Sequence, residues 1–104
     1  MNTIAIDFDG VLIDHPHSLS FEECLQLGLP TIDSVEILNY LSKFYKLVVL
    51  TARKDDELIK VKQWLSDYGF PKMEVTNKKM DATLYIDDRC LRFTSWADIS
   101  KILK

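Results

Sequence analysis

Three short apolar runs constrain this chain more than any other feature. Ile4-Ala5-Ile6, Leu47-Val48-Val49-Leu50 and Leu84-Tyr85-Ile86 each run directly into polar residues, at Asp7, Thr51 and Asp87. Near-continuous apolar strands need cover on both faces, as in a parallel sheet. The stretches between them supply that cover. Asp33-Ser34-Val35-Glu36 has the pattern of a capping box and opens a helix with Val35, Leu38, Leu41 and Tyr45 on one side. Residues 55–68 place Leu58, Val61, Leu65 and Tyr68 at helical spacing, and Gly69 stops that helix. Residues 95–103 predict a closing helix with Trp96, Ile99 and Leu103 inward. Short strands are expected at 73–76 and, at an edge, 92–94. Strands alternating with helices imply an α/β three-layer sandwich with a mostly parallel central sheet.

The chain has 104 residues, enough for a single domain over 1–104. Its net charge of −3 argues against bulk, sequence-independent nucleic-acid binding, which needs clustered positive charge. Cys24 and Cys90 are far apart and lack zinc-ligand spacing, so the expectation is two reduced, mostly buried thiols. No apolar run approaches 18 residues and no signal-like leader precedes Asp7, which predicts a cytoplasmic protein without membrane contact. Residues 13–31 read as an irregular flap carrying His15 and His17. Within it Ser20 and Glu23 have capping-box spacing, and Gly28 can end a short helix.

The polar residues at the strand ends carry the chemistry. Asp7 and Asp9 are two apart, which in an extended strand puts both carboxylates on one side. Asp87-Asp88 follows another apolar run. In open α/β sheets ligands bind outside the carboxyl ends of the strands. If the Asp7 and Asp87 strands are neighbours, several carboxylates share one crevice, and a hard divalent cation such as Mg²⁺ resolves their repulsion. Thr51 offers a hydroxyl to a phosphoryl oxygen, Arg53 a bidentate fork, and Lys78 and Lys79 lie just ahead of the Asp87 strand.

Together these segments resemble the haloacid dehalogenase (HAD) superfamily of phosphatases. Asp7-Phe8-Asp9-Gly10-Val11-Leu12 looks like its first motif, and Val48-Val49-Leu50-Thr51 like its second. Lys79 stands in the place of the third-motif lysine, with Lys78 as an adjacent rival. Tyr85-Ile86-Asp87-Asp88 looks like the fourth. The family often has Lys-Pro where this chain has Lys79-Met80. The resemblance spans nearly the whole chain and implies a HAD-like, Rossmannoid phosphomonoester hydrolase. It makes Asp7 the nucleophile and Asp9 the general acid and base. It assigns Mg²⁺ to the Asp7 carboxylate, the Asp9 backbone carbonyl and Asp87, with Asp88 in support. Thr51, Lys79 and the backbone N–H groups from Phe8 onward would hold the phosphoryl oxygens.

Neither insertion point is long enough for a cap domain, so the resemblance is to the capless subgroup, whose members act on large substrates or close the site by oligomerising. The surroundings of Arg53 and Arg89 also look like the phosphatase part of polynucleotide end-processing enzymes. Small metabolites, nucleotides and macromolecular phosphates are therefore all candidate substrates. Two other classes compete. A phospho-acceptor receiver domain also combines acidic residues, Thr and Lys, but in a different order along the chain. A non-catalytic phosphate- or metal-binding module on the same fold would not need Asp7, Asp9, Thr51, a lysine and Asp87 together.

Overall fold

The computed structural model describes residues 2–14 and 20–103. In chain order the elements are β1 (Thr3–Ile6), β2 (Ile13–Asp14), α1 (Phe21–Leu27), β3 (Leu29–Pro30), α2 (Ser34–Leu41), β4 (Lys46–Leu50), α3 (Asp55–Asp67), β5 (Glu74–Thr76), β6 (Leu84–Ile86) and α4 (Trp96–Leu103). Four strands form one sheet in the order β5-β4-β1-β6, and every pairing in it is parallel. This is an α/β fold of the Rossmann-like kind, with a parallel sheet flanked by helices. β2 and β3 make a small antiparallel pair at the base of the flap.

The order of travel decides which face is covered. From β1 the chain steps to β4 and then to β5, each time away from β6. Parallel crossovers are right-handed, so two steps in one direction put their helices on one face. That face carries Ile4, Ile6, Leu47, Val49 and Val75, aligned by the register Ile4 to Leu47 and Val49 to Val75. They pack with Leu38 of α2, with Val61, Trp64 and Leu65 of α3, and with Phe70 in one core. Burying each large apolar side chain stabilises the fold by about 1.5–3 kcal/mol. The ring of Phe8 meets Trp64 edge-on, 5.4 Å between centroids.

The step from β5 to β6 runs back across the opposite face. It must pass two strands, about 14 Å sideways. Residues 77–83 reach about 23 Å when extended, which suffices, but they leave no length for a helix. The expected alternation of strand and helix therefore fails at this crossover. Nor does the C-terminal helix close the gap. α4 has no buried residue, and Trp96 is 74% exposed with its ring against Phe93, so the inward Trp96, Ile99 and Leu103 expected from sequence are not found. β6 is likewise exposed throughout rather than buried. Leu84 and Ile86 share a face with Ile4 and Ile6, but α2 and α3 lie over strands on the far side of β1. No strand forms at 92–94. The Cα radius of gyration, 14.8 Å, exceeds the roughly 13 Å of a compact chain of this length, in keeping with an unpacked α4.

Locally, several sequence signals act as expected. Ser20 and Glu23 cap α1 reciprocally, and Gly28 ends it. Gly69 adopts φ 82° just beyond α3. The capping box at Asp33 does not form. Asp33 sits at φ 63° with no side-chain cap bond, and the Ser34 hydroxyl donates to the Thr31 carbonyl instead, at 2.7 Å. Cys24 is buried but Cys90 is exposed, so only one thiol matches its expectation. Among the described residues no helix is long and apolar enough to cross a membrane.

Candidate active site

Asp7 follows β1 directly, and its backbone N–H donates to the Ile86 carbonyl at 2.9 Å, extending the ladder one residue. The register Ile6 to Ile86 makes β1 and β6 neighbours and sets Asp7 beside Asp87. Their carboxylates and that of Asp88 each place an oxygen within 4.8 Å of the others. The crowding has a cost. Burial, with the charges of Asp87, Asp9 and Asp88 added to it, raises the Asp7 carboxyl from 3.8 to about 6, against the lowering effect of the Phe8 N–H. That N–H donates to Asp7 Oδ1 at 2.9 Å and fixes the side chain.

The strand does not continue to Asp9. The Phe8 carbonyl accepts from the N–H groups of Val11, Leu12 and Ile13, which closes a tight turn with Gly10 at φ 81°. The positive φ favours glycine there, and a Cβ on Gly10 would push the Asp88 carboxylate aside. The turn replaces the extended strand at Asp9, whose charge still acts on Asp7. The Asp9 carboxylate accepts two bonds from Arg53, at 2.7 and 3.0 Å, and it stands outside the Asp7/Asp87/Asp88 group.

Thr51 is buried at the end of β4, and its backbone N–H donates to the Thr76 carbonyl at 3.0 Å. A cleft of about 600 Å³ opens on the face of the sheet opposite α2 and α3. Asp7, Thr51, Lys79 and Asp87 line it, above a floor that includes Ala5, Leu50 and Tyr85. Lys78 is not part of that lining, and its N–H donates to the Thr76 hydroxyl, so the structure separates the two lysines that sequence left adjacent. The Phe8 side chain is core, and only its backbone reaches the site. His15 and His17 lie outside the described residues.

Asn77 was not anticipated. Its amide nitrogen donates to the Arg53 carbonyl at 3.1 Å and to Asp55 Oδ1 at 2.6 Å, and it also lines the cleft. It ties the loop after β4 to the start of α3. Its signal in the sequence was weak, because an Asn after a strand ordinarily reads as a turn residue.

No family model matches this sequence, and no curated protein matches it. A conserved protein from Bacteroides thetaiotaomicron has a similar solved structure, with a TM-score of 0.67 and 24% sequence identity. The match covers 98% of this chain and 88% of that one. A likeness at this identity shows the fold alone.

Proposed function

We propose that this chain is a HAD-type phosphomonoester hydrolase that works through an aspartyl-phosphate on Asp7. One observation carries the reading: four separate segments bring Asp7, Thr51, Lys79 and Asp87 into one cleft at the carboxyl ends of adjacent parallel strands. Crevices of that kind are where open α/β sheets hold ligands.

In this reading Asp7 attacks phosphorus with the oxygen that the Phe8 N–H leaves available. An Asp7 oxygen–phosphorus bond forms, and the bond from phosphorus to the ester oxygen breaks. Asp9 gives that ester oxygen a proton. Asp9 then takes a proton from the water that attacks the phosphorus, which frees Asp7 and releases phosphate. Lys79 and the Thr51 hydroxyl stabilise the equatorial oxygens as charge moves onto them. A carboxylate approaches a phosphate dianion only when that charge is offset. The acidic triad of Asp7, Asp87 and Asp88 suits a hard cation, with three oxygen donors and a raised Asp7 carboxyl that a cation would relieve. Mg²⁺ bound by the Asp7 and Asp87 carboxylates and the Asp9 backbone carbonyl, with Asp88 in support, would supply that offset. Asp9 favours ester hydrolysis over dehalogenation, because an alkoxide leaving group needs a proton.

Phosphate release from a generic aryl phosphate, measured with and without Mg²⁺, tests the proposal. Mg²⁺-dependent turnover that disappears in Asp7→Asn is expected. Turnover that persists undiminished in Asp7→Asn would overturn it.

A further inference from the structure

The pairing of Asp9 with Arg53 poses a chemical question. A general acid and base must present an oxygen to the leaving group, yet both Asp9 oxygens accept bonds from the Arg53 fork. Both side chains are partly exposed, at 25% for Arg53 and 29% for Asp9, and an ion pair that exposed adds little to stability. The Arg53 backbone is held on both sides. Its N–H donates to the Thr51 hydroxyl at 3.2 Å, and its carbonyl accepts from Asn77. Only the side chain is therefore free to move. The Phe21 ring, on the flap helix α1, lies 4.5 Å from the guanidinium carbon and can retain the cation when the fork turns.

We infer that Arg53 is a specificity residue that reads an anionic group, carboxylate or phosphate, on the leaving-group portion of the substrate, and that this exchange lifts the Arg53 fork off Asp9. The inference rests on the phosphatase reading of Asp7 and Asp9. An arginine stays charged, so its fork turns away from one carboxylate most readily toward another acceptor pair of the same geometry. Position selects which part of the substrate this is. The group that protonates the ester oxygen stands on the leaving-group side, and Arg53 is bonded to it. Phe21, which the Arg53 guanidinium meets, packs against the helix-covered core, whereas Thr51 and Lys79 line a cleft of which Arg53 is not part. The transferred phosphoryl group falls to the cleft residues and the leaving group to Arg53.

Three matched pairs test this: 3-phosphoglycerate against glycerol 3-phosphate, phosphoglycolate against its amide, and a nucleoside 3′,5′-bisphosphate against the 3′-monophosphate. The first two pairs add a carboxylate and the third a phosphate, so they separate the two sources of charge. Wild type is expected to favour at least one charged member about tenfold or more in kcat/KM. That ratio should fall to about one in Arg53→Gln and recover in part in Arg53→Lys. Calorimetric binding of the same pairs to the Asp7→Asn variant, alone and with Arg53→Gln added, gives a readout without turnover. Charge selectivity in binding that depends on Arg53, with no wild-type turnover, keeps Arg53 as an anion-reading residue and removes the phosphatase reading together with the leaving-group role. Turnover with equal ratios in wild type and Arg53→Gln does the reverse. Absence of both removes both.

Discussion

The two faces of the sheet are built from similar strands and are covered in different ways. On one, β1, β4 and β5 are sealed by α2 and α3, and Trp64 is 4% exposed. On the other, residues 77–83 cross without a helix, and Ala5 and Val48 are buried without one; beyond the sheet α4 buries nothing, and Trp96 is 74% exposed. The candidate site lies along the seam. Asp7 and Thr51 stand on strands anchored in the core, whereas Asp87 and Asp88 follow the exposed β6. Asp7 and Thr51 therefore have a rigid base, and the other two members of the acidic triad do not. A divalent cation would bridge the two halves.

The largest effect should follow from changing a residue on each half in turn. Asp7→Asn is expected to lower phosphatase turnover by on the order of 10⁴-fold or more, at any Mg²⁺ concentration. Asp87→Asn, on the open strand, should instead raise the Mg²⁺ concentration needed for half-maximal rate by about tenfold or more, with part of the rate restored at saturation. Identical losses in both variants, insensitive to Mg²⁺, would dissolve the distinction between the halves.

Stability should divide the same way. Trp64→Ala is expected to cost about 3–5 kcal/mol in urea unfolding, the range for deleting a buried aromatic ring. Gly10→Ala should cost about 1–3 kcal/mol from its backbone conformation and also weaken Mg²⁺ binding by displacing Asp88.

A smaller effect is expected from pH. The Asp7 carboxyl is raised from 3.8 to about 6 in the fold, so the folded state holds that proton more tightly than the unfolded chain does. Stability from this source is fully present below about pH 4 and is lost as pH rises through about 6. The melting temperature of the metal-free protein, minus that of Asp7→Asn, should therefore fall between pH 4 and pH 6.5, and saturating Mg²⁺ should reduce the drop. A flat difference across that range would mean that the triad carries no such strain. Least of all should Trp96→Ala matter, at within about 0.5 kcal/mol. A loss of several kcal/mol there would show that α4 packs in solution.

Much of the fold was legible because it rests on local or periodic signals. The apolar runs at 4–6 and 47–50 became adjacent strands, and Val61, Leu65 and Leu38 turned inward as their spacing required. The condition placed on the acidic residues, that the Asp7 and Asp87 strands be neighbours, is met. The misreadings share a cause. Leu84-Tyr85-Ile86 and Trp96/Ile99/Leu103 have the composition of buried elements, but burial needs a partner, and the partners lie over the other half of the sheet. Asp9 was read as part of an extended strand, but a turn at Gly10 ends that strand, and the Asp9 carboxylate pairs with Arg53 rather than joining the triad.

The sequence by itself determined a parallel α/β sheet and the set of polar residues at its strand ends, since hydrophobic period and residue chemistry are properties of the chain alone. Tertiary structure decided which lysine lines the cleft, that Arg53 holds Asp9, and which face of the sheet is sealed. Those outcomes depend on strand order and the direction of each crossover, which bring together residues 44 positions apart in the case of Arg53 and Asp9. No local pattern carries that information.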